Sequence, residues 1–130
     1  MGPPNFSDPR IDEGITLFNS EEYFACHDVW EDFWSEQTGP EKPFFQGLIQ
    51  ASVAMFHFQE GNLGGARRMY ATARARLCGF GPITAGIHVD KLIQDMDLCF
   101  EELCEPHSSY PHHVTLKRER IPKIFREGLL

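Results

Sequence analysis

Between Phe44 and Glu60 the chain offers almost no surface to water. Phe44, Phe45, Leu48, Ile49, Val53, Met55, Phe56 and Phe58 spread around the helix that their spacing predicts. A helix apolar nearly all round is stable in water only with other helices packed on several of its faces. The predicted fold is therefore all-α: a compact single-domain bundle of about five helices, built from antiparallel helical hairpins around this central segment, with an irregular basic C-terminal tail. One narrow polar stripe interrupts the apolar surface, formed by Gln46, Gln50 and His57 at spacings of four and seven.

The remaining chain fits around that segment. Residues 1–10 form an irregular lead-in, residues 11–104 the helical domain, and residues 105–130 a tail that packs on the domain or on a neighbouring subunit. Ile11, Ile15 and Phe18 predict a short first helix, and Asn19 with Glu22 reads as a capping box that restarts the chain as a second helix over about 20–36. The connection from Thr38 to Pro43 is short enough to make the third helix antiparallel to the second. Asn62 caps a fourth helix running to about Leu77, and Gly79 suits the left-handed position beyond its end. Residues 81–88 read as a loop and Val89 to Cys104 as a fifth helix. The run from Pro106 to Pro111 breaks the pattern, and the tail around Pro122 is expected to be extended or briefly helical. No segment alternates with period two, so no strand is expected.

Charge and cysteines narrow the function classes. The formal net charge is −7, which argues against a nucleic-acid partner, because phosphate contacts need clustered Lys and Arg. Residues 115–130 carry Lys117, Arg118, Arg120, Lys123 and Arg126, so the tail is basic and the body acidic. Arg67, Arg68, Arg74 and Arg76 also make the fourth helix basic, suited to dock on the acidic first two helices or across a homo-oligomer interface. No apolar stretch approaches the length of a membrane span, and the first residues show no signal-peptide pattern. Cys26, Cys78, Cys99 and Cys104 have no C-x-x-C spacing and read as buried hydrophobes in a reducing compartment. A cytoplasmic protein with neither a nucleic-acid nor a membrane partner is expected.

The candidate site comes from Tyr23 to Trp34. On a helical projection Tyr23, Phe24, Trp30 and Trp34 fall within about 60° of His27, with Glu31 about 40° away. A histidine and a glutamate thus lie among aromatic residues, where a carboxylate must be paired, protonated or bound. In an antiparallel hairpin centred near residue 40, Gln50 lies level with the gap between them and His57 about 6 Å along the axis. For a divalent metal (Zn, Mn, Fe or Ni), His27 and Glu31 at i and i+4 with His57 as third donor are the candidates. Tyr23, Trp34, Gln46 and Gln50 are the candidate pocket residues. The zinc-protease H-E-x-x-H pattern is not met, since Glu31 stands at its second histidine. If the site is catalytic, metal-assisted hydrolysis is the class suggested, although no further base or nucleophile is evident. The alternatives are that His27 and Glu31 are a buried structural pair fixing helix register, and that the chain is a non-enzymatic interaction module of helix pairs.

The run His27-x-x-x-Glu31-x-x-Trp34 resembles the signature H-x-x-x-E-x-x-W/Y of uncharacterised helical proteins of bacteria and archaea catalogued as domain of unknown function 309. The resemblance extends through Phe18-Asn19, Tyr23-Phe24, Gly47-Leu48-Ile49-Gln50, His57, Gly61-Asn62, Gly65-Ala66 and Gly86-Ile87. It implies an all-helical fold and a metal-binding role for the signature residues. Asp28 and His88 stand where such proteins commonly carry Glu and Asp, which removes any support for a role of those two positions.

Overall fold

The structure, a computed structural model, describes residues 6–105 and 114–127. The expectations for the first five residues, for the Pro106 to Pro111 break and for the last three residues lie outside that range.

Helix α1 spans Pro9–Asn19 and starts earlier than the apolar spacing alone predicts. Asp8 accepts the Arg10 N–H through its side chain, and Pro9 fills the first turn, where a missing N–H costs nothing. Helix α1 ends in a left-handed turn at Glu21 (φ 64°), closed by Glu22 N–H donating to Leu17 O at 2.9 Å and Glu21 N–H to Phe18 O at 3.0 Å. Helix α2 (Tyr23–Ser35) follows at once. The expected capping box is absent. Asn19 is still helical, the residue before α2 is Glu22, and Glu22 makes no capping side-chain bond.

Helix α3 (Lys42–Gln59) is buried on several sides, as an all-round apolar helix requires. It closes like α1, this time with Gly61 at φ 80°, Asn62 N–H donating to His57 O at 2.8 Å and Gly61 N–H to Phe58 O at 3.1 Å. Asn62 caps α4 (Leu63–Leu77), its Oδ1 accepting the Gly65 N–H at 3.1 Å. Helices α1 to α4 pack each against the next in chain order. Their shared core includes Phe18, Trp30, Phe33, Phe44, Leu48, Met55 and Leu77.

Two expectations fail beyond α4. Residues 83–88 contain a minimal antiparallel hairpin, β1 (Ile83–Thr84) and β2 (Ile87–His88), and not only a loop. Its turn places Ala85 at φ 53° and Gly86 at φ 76°, the positive values a two-residue turn needs. The fifth helix divides into α5 (Val89–Cys99) and α6 (Glu101–Cys104) at Phe100, whose ring stacks on Tyr70 with centroids 4.6 Å apart.

The tail (114–127), with a single 3₁₀ turn at Arg118–Arg120, lies along the body. Asn19 brackets Ile124, donating to its carbonyl at 2.9 Å and accepting its N–H at 2.8 Å. Arg118 pairs with Glu21, Arg126 with Asp12 and Lys117 with Glu102. The basic helix α4 does not reach the first two helices through Arg74, which pairs with Asp97 on α5 at 2.8 Å. No helix of the described residues is long and apolar enough to cross a membrane.

Candidate functional site

At the end of the α2–α3 hairpin away from its connection, the two helices flank a half-open cavity of about 190 Å³. Tyr23, Phe24 and His27 of α2 and Val53, Phe56 and His57 of α3 line it. The local sequence explains the set. On α2, residues 23, 24 and 27 share one flank of the helix, and on α3, residues 53, 56 and 57 do the same. The two left-handed turns at Glu21 and Gly61 stand beside this end of the hairpin, and Gln59 bridges them by donating to Glu21 O at 3.4 Å.

The expected burial of the His27–Glu31 couple is not found. Glu31 is 57% exposed and His27 27% exposed at their side chains. The buried seam of α2 runs through Tyr23, Cys26, Trp30 and Phe33. His27 lies about 80° and Glu31 about 120° from the centre of that seam. Phe24, 58% exposed, misplaces the apparent centre when hydrophobicity alone is read. The two side chains do meet, with His27 Nε2 2.7 Å from Glu31 Oε2 and His27 Nδ1 3.3 Å from Asp28 Oδ1. An imidazolium can donate to both carboxylates, and a neutral ring to one only.

His57 is held differently. The Asn62 Oδ1 is committed to the Gly65 N–H, so the Asn62 NH₂ faces His57 Nδ1 at 3.3 Å. That nitrogen must accept, which puts the proton of the neutral ring on Nε2. The hydroxyl of Tyr23 is buried and finds no partner among the described residues. Burial pushes that phenol well above its ordinary range, so it stays a neutral donor.

The other candidate residues lie outside the cavity wall. Trp34 donates its indole N–H to Lys42 O at 3.1 Å, and the Lys42 ammonium sits 4.4 Å above the same ring. This arrangement fastens the α2–α3 connection. Gln46 is half-buried on α3, and Gln50 has a buried Oε1 with no partner among the described residues. The geometry gathers Tyr23, His27 and His57 on one cavity, with Glu31 behind His27. Both nitrogens of His27 already face carboxylates, and among the described residues no three His, Cys, Asp or Glu side chains group so as to hold an ion. His88, also weighed as a motif position, belongs elsewhere, with Nε2 3.0 Å from Glu127 in the tail.

A family model described as Domain of unknown function (DUF309) matches residues 11–69. The uncharacterised protein YpuF of Bacillus subtilis (strain 168) is 33% identical over 120 residues, covering 89% of this chain and 68% of that protein. The chain belongs to the DUF309 family. No solved structure matches it. The matched span ends in α4 and contains the six residues of the cavity wall. The lining residues not foreseen were Phe24 as a wall residue, Val53 and Phe56. A signal existed, since each lies within one helical turn of the histidine on its own helix.

Proposed function

We propose that this DUF309 protein binds a small ligand in the cavity between α2 and α3, with His27 and His57 as its polar contacts. The observation that carries the reading is that two imidazoles from different helices and three aromatic rings surround one volume of about 190 Å³. An engineered cavity of about 150 Å³ holds benzene, so the space suits a ligand of benzene size or slightly larger. Glu31 acts behind His27, fixing the orientation of its ring.

The test is an amide chemical-shift titration of the full chain with small aromatic, carboxylate and ammonium compounds, and separately with Zn²⁺ and Ni²⁺. The reading expects saturable shifts at residues 23–27 and 53–57 with an organic compound, lost in His57→Phe. No shift at those residues with any compound at millimolar concentration would overturn it. Stoichiometric binding of either metal through His27 and His57 would replace it with the metal reading.

A further inference from the structure

We propose that the α2–α3 cavity takes a small quaternary ammonium solute. This rests on the ligand-binding reading above and names the chemistry of the ligand.

Three features of the wall point to a cation without N–H groups. The first is aromatic. Tyr23, Phe24 and Phe56 contribute rings, with Phe24 and Phe56 centroids 5.5 Å apart at 55° and Phe24 and His27 5.8 Å apart at 50°. Rings tilted at such angles do not close into a stack, and a cation within about 6 Å of an aromatic face is attracted by the ring quadrupole.

The second feature is charge. None of the six lining residues is Lys or Arg. His27 is flanked by Asp28 and Glu31, so that corner carries a net −1 with the imidazole protonated and −2 with it neutral. An anionic ligand would meet this field without a compensating partner, whereas a cation is drawn into it.

The third feature is that His57 presents a donor to the cavity and not an acceptor. A primary ammonium brings three N–H donors that need partners once desolvated. In this wall His57 Nδ1 is already taken by Asn62, and neutral His57 therefore presents Nε2–H, a donor. A methylated ammonium has the same charge and nothing to donate. Its methyl groups can rest on Val53, Phe24 and Phe56, and a hydroxyl or carbonyl elsewhere on the ligand can accept from His57.

The experiment compares choline with dimethylbutanol, its neutral carbon isostere, and with ethanolamine, its primary-amine counterpart. Each is titrated into the full chain and followed at the amides of residues 23–27 and 53–57. Choline is expected to bind at least about tenfold tighter than either. Glu31→Gln, at an exposed position, should weaken choline about threefold more than it weakens dimethylbutanol, its amide spectrum otherwise showing the fold intact. Equal binding of dimethylbutanol and choline would overturn the cation assignment while keeping the cavity as a ligand site. Equal binding of ethanolamine would overturn the quaternary preference, and absence of binding by every compound in the wider panel removes the ligand-binding reading itself. Sedimentation of the chain with phosphatidylcholine vesicles, competed by free choline, would overturn the assignment to a free solute in favour of a lipid head group.

Discussion

Replacing Gly14 with alanine sets two physical rules against each other. Gly14 is interior to α1, where helix propensity favours alanine by about 1 kcal/mol. A Cβ at that position would lie 1.8 Å from Trp30 Nε1 and 2.3 Å from two further atoms of the same ring. The ring would have to retreat by roughly 1.5 Å or more to reach ordinary contact. It has little room to do so. Trp30 is fully buried, packs on Phe18 with centroids 6.3 Å apart, and donates its indole N–H to Ile11 O at 3.2 Å. Ile11 is on the same helix as Gly14, so any movement away from a new methyl stretches that hydrogen bond. Overpacking of this kind costs about 1–3 kcal/mol, and a buried N–H losing its acceptor adds about 1 kcal/mol or more. After the propensity gain the net loss is about 1–3 kcal/mol. In a domain of this size each kcal/mol moves the midpoint by roughly 3–5 °C, so Gly14→Ala should lower Tm by about 3–15 °C. Thermal unfolding followed by far-UV circular dichroism and by tryptophan fluorescence measures it. An unchanged or raised midpoint would show that propensity wins, and would refute the claim that Trp30 is locked between α1 and α2.

Arg126→Ala removes donations to Ala85 O at 2.9 Å, to Asp12 at 2.7 Å and to Phe6 O. It should cost about 2–3 kcal/mol in urea unfolding and speed proteolysis of the tail, since charge-assisted bonds at a largely buried guanidinium are among the stronger ones. The Arg74 guanidinium, with the Tyr70 hydroxyl, holds the Asp97 carboxyl below the usual range against some opposing desolvation. A depressed folded pKa contributes stability above the unfolded value of about 3.9 that is lost as pH falls through the folded one. Unfolding midpoints of the parent chain and Asp97→Asn should therefore differ at pH 6 and converge toward pH 2. Cys78 and Cys104 are exposed, whereas Cys26 and Cys99 are buried, with burial pushing the Cys99 thiol up to about 12. A thiol reagent should thus modify two cysteines in the native chain and four in urea, as counted by mass spectrometry.

The fold was legible where apolar periodicity is long. The crowding of Phe, Leu and Ile in 44–60 demands a helix covered on many sides, and α3 has that environment. Termini and short elements were less legible, because their causes are tertiary or local. Asn19 has the right residue type for a cap, yet its amide is used on Ile124, more than a hundred positions away in sequence. The hairpin at 83–88 has two residues per strand, too few for alternation to register. At the site, hairpin geometry correctly sets His57 within reach of the His27 end of α2. The burial of Glu31 was misjudged because Phe24 counts as core by hydrophobicity, although it faces outward on the cavity rim. Exposure of one phenylalanine shifts the apparent seam enough to move a carboxylate from solvent to core.

The signature His27-x-x-x-Glu31-x-x-Trp34 then divides into parts with different physical work, which explains why its residues need not meet at one atom. Spacings of four and seven place all three on one flank of α2, with Trp34 and His27 nearer the buried seam and Glu31 furthest from it, in solvent. One end of that flank opens, and there His27 reaches the cavity with Glu31 one turn behind it, 2.7 Å from its ring. The other end is closed by Trp34, whose indole holds Lys42 O where α3 begins. The Trp34 clasp thus fixes α2 to α3 where their connection ends, while at the far end the rings of Phe24 and Phe56 meet across the cavity rim with centroids 5.5 Å apart. The geometry of the hairpin at one end and the His27–Glu31 pair at the other are separate consequences of one helix face.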